Sequence, residues 1–489
     1  MGAPPLLDFP DCSGKRGKGQ SICRSLAELI IGVPPRLTFP RSYTTVPPMQ
    51  VRILKWNELS EAVKSRLLSR AETEITDALD SVKPILQDVR ERGDAALREY
   101  TLKFDGVDLG NLPLRVQGEE YAHAQRVLPH EVQEALDLVI ENVTIFHRKQ
   151  IPPELSFTEV RPGVYAGERA SPIPSVGLYV PKGKGSFPSM LYMLSIPAVL
   201  ARVPAIRIVT PPNPDGSVDP ACLYAAERIG VREVYRIGGA QGIAALAYGT
   251  ESIPPVSKIL GPGSRYVAAA KRLVSSLLDI GMPAGPSEAM ILADRTADPR
   301  LVALDLLIEA EHGSDSAAFL VTPEATLAER VVELLTQRVA SIPEPRRTYI
   351  NDVFNTYGGI ILTETMDEAL SVVNAFAPEH LQLQVEHPFD LLGQLHHAGE
   401  ILLGSSTPFS VANYATGANA VLPTGGYART YSPVSVRDFL KYTSVVQVTP
   451  RGFASLQKPV QVLAEYEGFP SHARAVIERT ATGEYNSHV

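Results

Sequence analysis

The sequence predicts an α/β protein built on parallel sheets. Three observations predict it: short β-branched runs ending in Gly or Pro, helix-length stretches between them, and start and stop signals where those stretches begin and end. The first runs are VGLYVP (Val176–Pro181), AIRIVTPP (Ala205–Pro212), EVYRIGG (Glu233–Gly239) and SKILGPG (Ser257–Gly263). One intervening helix opens on Asp219 and Pro220, at N-cap and N1, and closes at Gly230. In such sheets ligands bind beyond the carboxyl ends of the strands, where the turns GKGS, GGAQG and GPGS fall. Their glycines either let a phosphate approach the backbone or simply punctuate strand ends, and no GxGxxG is present.

A second α/β segment begins near Ala289. AMILAD reads as a strand, and Asp298 with Pro299 opens the helix RLVALDLLIEAEHG, which Gly313 stops. Glu309 and His312 stand three apart and project from nearly the same helix face. That spacing lets two helix-borne ligands meet one metal ion; it equally suits a solvated ion pair in a last turn, where the dipole favours an imidazolium. GGIILTE (Gly358–Glu364) is a strand, and Thr365 to Glu368 is a capping-box start for DEALSVVNAFA. Pro378 cannot continue that helix and LQLQV alternates like a strand, so Glu379 and His380 occupy a sharp junction. Adjacent Glu and His there suit paired proton transfers, or form a plain surface pair.

With 489 residues, 44% of them hydrophobic, the chain is long enough for two to four cores. Acidic residues exceed basic ones by 54 to 46 with the signs interspersed, which argues against nucleic acid as a partner. The 3 cysteines, Cys12, Cys23 and Cys222, lack metal-ligand spacing and suit a reducing compartment. No apolar run approaches the roughly 20 residues needed to cross a bilayer, so the expectation is a soluble, cytoplasmic protein without a membrane partner. Residues 1–48, Pro-rich with a basic KRGKG, read as a poorly ordered extension; an organellar transit peptide is an alternative that Asp8, Asp11 and Glu28 oppose. Polar helices follow through residues 57–103.

Taken in order, GMPAGPSEAMILAD, DLLIEAEHG, NAFAPEHLQLQ, NYATGANAVLPTGGYARTYS and EGFPSH resemble the histidinol dehydrogenase family. GLYVP, GGAQGIAALAYGTES and GPGS resemble it too, and the likeness runs from Met49 to the C-terminus. It implies two Rossmann-like parallel-sheet domains with small helical N- and C-terminal segments, in a domain-exchanged homodimer. The implied divisions are a short helical segment at 49–75, a first α/β domain at 76–176 plus 288–428, a second, NAD-binding α/β domain at 177–287, and a tail at 429–489 that reaches the partner's active site. The activity implied is NAD-dependent oxidation of a small amino alcohol through the aldehyde to the carboxylate, with the substrate held against zinc. By position, Tyr179, Gln241 and Ser264 would line the NAD site. Ser287 would contact substrate, His380 would take the alcohol proton, and Glu379 would activate water at the aldehyde stage. Glu467 and His472 match residues that arrive from the second chain.

Several positions depart from the family pattern. Its zinc ligands, Gln, His, Asp and His, correspond here to Glu309, His312, Asn413 and His472, so the formal charges at two positions are exchanged while the sum is kept. Either zinc is retained, or Glu309 and Asn413 form a hydrogen-bonded pair in a metal-free pocket. The family pattern GTNH reads GANA at Gly417 to Ala420, removing an imidazole near the substrate, and Ser264 stands where Asn is usual. A substrate group left unpaired there costs roughly 1–3 kcal/mol. VPKGKGS replaces VPGG, with Lys182 and Lys184 facing either cofactor phosphate, an anionic substrate or solvent. Three readings stay open: a dehydrogenase of histidinol, a metal-free paralogue for another alcohol, and a non-catalytic binding protein on the same scaffold.

Overall fold

The structure, a computed structural model, describes residues 49–68, 72–182 and 185–481. The expected extension at 1–48, with Cys12, Cys23 and also Lys184, lies outside these residues. In chain order the strands are β1 (Ile53–Lys55), β2 (Leu155–Arg161), β3 (Val164–Pro172), β4 (Ser175–Tyr179), β5 (Ala205–Val209), β6 (Glu233–Tyr235), β7 (Ile259–Leu260), β8 (Glu288–Ala293), β9 (Ala317–Thr322), β10 (Gly358–Leu362), β11 (His380–Gln384), β12 (Glu400–Leu403) and β13 (Leu440–Val448). Helices α1 (Glu72–Arg92), α2 (Pro188–Leu200), α3 (Gly239–Tyr248), α4 (Arg265–Val274), α5 (Pro299–Ala310), α6 (Met366–Phe376), α7 (Phe409–Tyr414), α8 (Pro450–Tyr466) and α9 (Pro470–Ala481) pack around them. Among the described residues no helix is long and apolar enough to cross a membrane.

The predicted parallel sheets are both present. One has 6 strands in the order β1-β10-β9-β8-β11-β12, and the other has 4 in the order β6-β5-β4-β7. Every pairing within them is parallel. The interior strands β8 and β9, EAMILA and AAFLVT, are buried at every position, as strands covered on both faces must be. The period of two sorts their side chains: Ala289, Ile291, Ala318 and Leu320 join α5 in one core layer. Met290, Leu292, Phe319 and Val321, with Leu381 and Leu383 of β11, join α6 in the other. Both helix starts read from Asp-Pro hold, since Asp219 accepts from the Ala221 N–H and Asp298 from the Arg300 N–H, at 2.9 and 2.8 Å.

Four features differ from expectation. Helix α5 ends at Ala310, before His312, whose N–H donates to the Glu309 carbonyl at 3.2 Å in a tighter final turn. The Glu368 carboxylate reaches back to the Glu364 N–H rather than to Thr365, although Thr365 does cap the Glu368 N–H. The 49–75 segment supplies a strand as well as helices: β1 pairs with β10, where Gly359 at φ 143° lets the Arg52 carbonyl come within 2.8 Å of where a Cβ would stand. Finally, β2, β3 and β13 form a separate antiparallel sheet in the order β13-β3-β2, so the tail carries a strand besides α8 and α9. Strand β2 is exposed along its whole length and shows no apolar alternation to read.

The carboxyl ends of β4 and β7 meet closely. Gly261 adopts φ 120°, and a Cβ there would lie 2.2 Å from the Tyr179 carbonyl oxygen. Gly261→Ala is therefore expected to lower the urea midpoint by an amount equivalent to about 1–3 kcal/mol; an unchanged midpoint would show that the two strand ends can separate freely.

Candidate active site

The candidate catalytic corner is made where α6 gives way to β11. Ala377 turns to φ 55° and Pro378 lacks the amide to extend the helix, so the chain enters β11 at once with Glu379 and His380. Both are buried. Glu379 Oε2 accepts from the Glu288 N–H at 2.8 Å, anchoring it to the start of β8. Its Oε1 lies 3.8 Å from His380 Nε2, and the opposite ring nitrogen, Nδ1, is 2.5 Å from Glu400 Oε1. The Phe409 ring meets the imidazole edge to face with centroids 5.8 Å apart.

A second cluster faces this corner from α5. Glu309 is fully buried and accepts from Asn413 Nδ2 at 2.7 Å through Oε1. Its Oε2 lies 3.2 Å from His312 Nδ1, without hydrogen-bond geometry. His312 Nδ1 also stands 3.1 Å from the Ser287 hydroxyl, one residue before the Glu288 that anchors Glu379. Ser287, Glu309, His312 and Asn413 thus form one continuous set that begins at the strand bearing the Glu379 anchor.

Charge in this space is unevenly shared. Burial opposes ionisation of Glu309, but His312, His380 and the Asn413 amide outweigh it and hold the carboxyl below its ordinary range. Glu379 goes the other way: burial, reinforced by Glu309 and Glu288, pushes it well above the usual range against the pull of His380 and the Glu288 amide. Burial would also neutralise His380, yet Glu379, Glu309 and Glu400 surround the ring and raise it to about 10. The pocket is an anionic cradle for one positive charge.

That cradle bears on whether a metal fits. Among the described residues no three His, Cys, Asp or Glu side chains gather as a metal-holding group. The available set is one carboxylate, one imidazole and one amide, and two of its oxygens, Glu309 Oε2 and Asn413 Oδ1, are buried without hydrogen-bond partners. Buried oxygens left unpartnered beside an imidazole are the donor chemistry a divalent zinc ion takes. The residues present fit it.

The remaining predicted residues lie elsewhere. Tyr179 ends β4, and its hydroxyl accepts from the Gly239 N–H at 3.1 Å where α3 begins; burial pushes the phenol up to about 12. Gln241, within α3, is fully buried with both amide atoms unpartnered. Ser264 is exposed at the N-cap of α4, with no hydrogen bond from its hydroxyl to that helix. Glu467 and His472 are exposed at the α8–α9 junction, where the His472 ring tilts over Phe469 at 5.2 Å. Among the described residues of one chain, neither shares a hydrogen bond or ion pair with Glu309, His312 or Asn413. In GANA, Asn419 is a buried pin, donating to the Met193 carbonyl at 2.7 Å and accepting from the Val421 N–H at 3.0 Å, while Ala420 packs against an apolar core. Glu400 was not foreseen. Its only signal is a carboxylate directly before the apolar run ILL, in a strand that pairs with EHLQLQ.

The histidinol dehydrogenase family model matches residues 68–480. A histidinol dehydrogenase from Synechocystis sp. is 48% identical over 428 residues, covering 88% of this chain and 99% of that protein. A histidinol dehydrogenase homolog from Rhizobium meliloti is 48% identical over 427 residues, covering 87% and 94% respectively. The crystal structure of histidinol dehydrogenase from Elizabethkingia anophelis superposes with a TM-score of 0.83 at 34% identity, covering 89% of this chain and 98% of that one. Sequence and fold agree across almost the entire described chain, and the protein belongs to the histidinol dehydrogenase family, whose members are NAD-dependent oxidoreductases.

Proposed function

We propose that the chain oxidises a small amino alcohol, histidinol or a close relative, through the aldehyde to the carboxylate, reducing two NAD per turnover. The observation that carries this is the meeting of Glu379 and His380 with the Ser287–Glu309–His312–Asn413 set at the amino end of strands β8 and β11 of the six-stranded sheet. In the first stage His380 Nε2 takes the hydroxyl proton while the carbinol hydride leaves to the nicotinamide, giving the aldehyde. In the second, Glu379 in its ionised form takes a proton from water as its oxygen adds to the aldehyde carbon, and a second hydride leaves for a second NAD; its raised affinity for a proton makes it the stronger base once ionised. Burial keeps both side chains away from bulk water, and the Glu288 amide fixes which Glu379 oxygen faces His380.

Tyr179, Gln241 and Ser264, at the carboxyl ends of the four-stranded sheet, are assigned to NAD; the unpartnered Gln241 amide is the group there most in need of a ligand. Glu309, His312 and Asn413, with His472 from a second copy in an exchanged homodimer, would hold zinc. When bound, that ion supplies Lewis-acid polarisation of the substrate. Ser287 and Glu467 complete the substrate contacts. A metal-free member is the second reading, favoured by the 2.7 Å hydrogen bond that already engages Glu309 Oε1. The location proposed for this activity is the cytoplasm.

His380→Ala should suppress the first hydride transfer, and Glu379→Gln chiefly the second, water-consuming stage, each by on the order of 100-fold. NADH absorbance with histidinol and then with the aldehyde as substrate separates the two stages; full activity in either variant rejects its assigned role. Because a base must be neutral to accept a proton and His380 is raised to about 10 in the free protein, its neutral fraction grows as pH rises. Accordingly kcat/KM should climb on the alkaline side of neutrality, and a profile already flat at neutral pH would contradict the base assignment. Complete metal removal, followed by elemental analysis, should abolish turnover and zinc readdition restore it; turnover that survives removal selects the metal-free reading.

A further inference from the structure

We propose that Glu400 is the positioning residue of the His380 base, accepting the Nδ1–H so that proton exchange is confined to Nε2, the nitrogen nearest Glu379. The inference rests on the reading of His380 as base and extends it to a carboxylate that no motif marks. The backbone supplies the first support: in the parallel pairing of β11 with β12, His380 stands directly opposite Glu400, so the contact is built into the strand register. Next, the contact is dry and short, with Nδ1 2.5 Å from Glu400 Oε1 and side-chain exposures of 4% and 9%. An ionised carboxylate only accepts, which makes Nδ1 the protonated nitrogen whenever the ring is neutral.

The approach of β12 depends on its first residues. Gly399 donates to the Pro378 carbonyl at 2.9 Å and Glu400 to the Glu379 carbonyl at 3.0 Å, clamping the catalytic corner. A Cβ on residue 399 would fall 2.5 Å from that same Glu379 carbonyl, so a glycine is required for the strand to come so near. Phe409 closes another side of the ring. With the imidazole held between a carboxylate and an aromatic ring, rotation about its Cβ–Cγ bond would exchange Nδ1 for carbon against Glu400 and strand the carboxylate. During alcohol oxidation the substrate proton goes to Nε2 and the Nδ1 proton stays in place. Glu400 offsets the imidazolium charge without itself taking a proton.

Glu400→Leu and the isosteric Glu400→Gln, made in the full-length protein, test this. Glu400→Leu should lower kcat on the order of 10- to 100-fold while leaving the KM for NAD within about twofold. Glu400→Gln, whose amide oxygen still accepts from Nδ1, should lose less. A far-downfield, exchange-protected Nδ1 proton in the 1H NMR spectrum is expected in the parent and in Glu379→Gln, and should vanish in both His380→Ala and Glu400→Leu. Survival of that proton in Glu400→Leu, or equal kcat in the parent and both Glu400 variants, overturns the proposal. Should Glu400→Leu fail to fold, the proposal stands or falls with Glu400→Gln: kcat reduced and the Nδ1 resonance moved supports it, neither changed overturns it. Were the parent to show no NAD-dependent turnover, the oxidation reading would fail while the NMR comparison still decided the role of Glu400.

Discussion

A strand buried on both faces cannot carry polar side chains unless something inside the protein satisfies them, and β11 carries three: His380, Gln382 and Gln384, all buried. The pleat directs them to one side, away from Leu381 and Leu383, which lie in the apolar layer under α6. The satisfying element is α5. Its Asp305 and Glu309 are one helical turn apart and face the strand. Asp305 Oδ2 accepts from Gln382 at 2.8 Å and from Gln384 at 3.0 Å, and Gln384 also donates to Gln382 at 3.0 Å. This polar seam keys the rotation of α5 against the sheet, since any other rotation buries those amides unpaired. Glu309 faces the His380 corner as a result.

Once the seam sets the geometry, electrostatics organises the site. Glu309, Glu379 and Glu400 all act on His380, which is buried from bulk solvent, so the imidazole carries the charge that makes their proximity tolerable. The same logic makes the cradle receptive to a cation, and separates two carboxyl groups by environment: Glu309 is held in its charged form, while Glu379 is pushed towards protonation. Two like groups with opposite tendencies can be assigned different tasks.

Much of this was legible in the sequence, for identifiable reasons. The strands β4, β5 and β8 announce themselves by β-branched and apolar runs, and α5 by Asp298 and Pro299, because local chemistry decides those features. The Glu309–His312 and Glu379–His380 pairs were visible as spacing, and the Pro378 corner as a helix stop. What escaped was decided by distant partners. Strand β1 pairs closely where Gly359 leaves room for it, β2 is exposed without apolar alternation, and Glu400 acquires meaning only from its place opposite His380. The Asp305–Gln382–Gln384 seam escaped likewise: glutamines in a strand look like a solvated face until a helix covers them.

The hydrogen bond from Asn413 to Glu309 ties together residues 104 positions apart in the chain. An amide against a carboxylate is satisfied, and so is the inverse arrangement, carboxylate at 413 and amide at 309, of the pattern that the family motifs imply. Two carboxylates at that separation repel, and two amides surrender the negative charge that faces the imidazoles. Passage between the two arrangements therefore asks for paired substitution, and lineages descended from either one should keep these distant sites in step long after their surfaces have diverged.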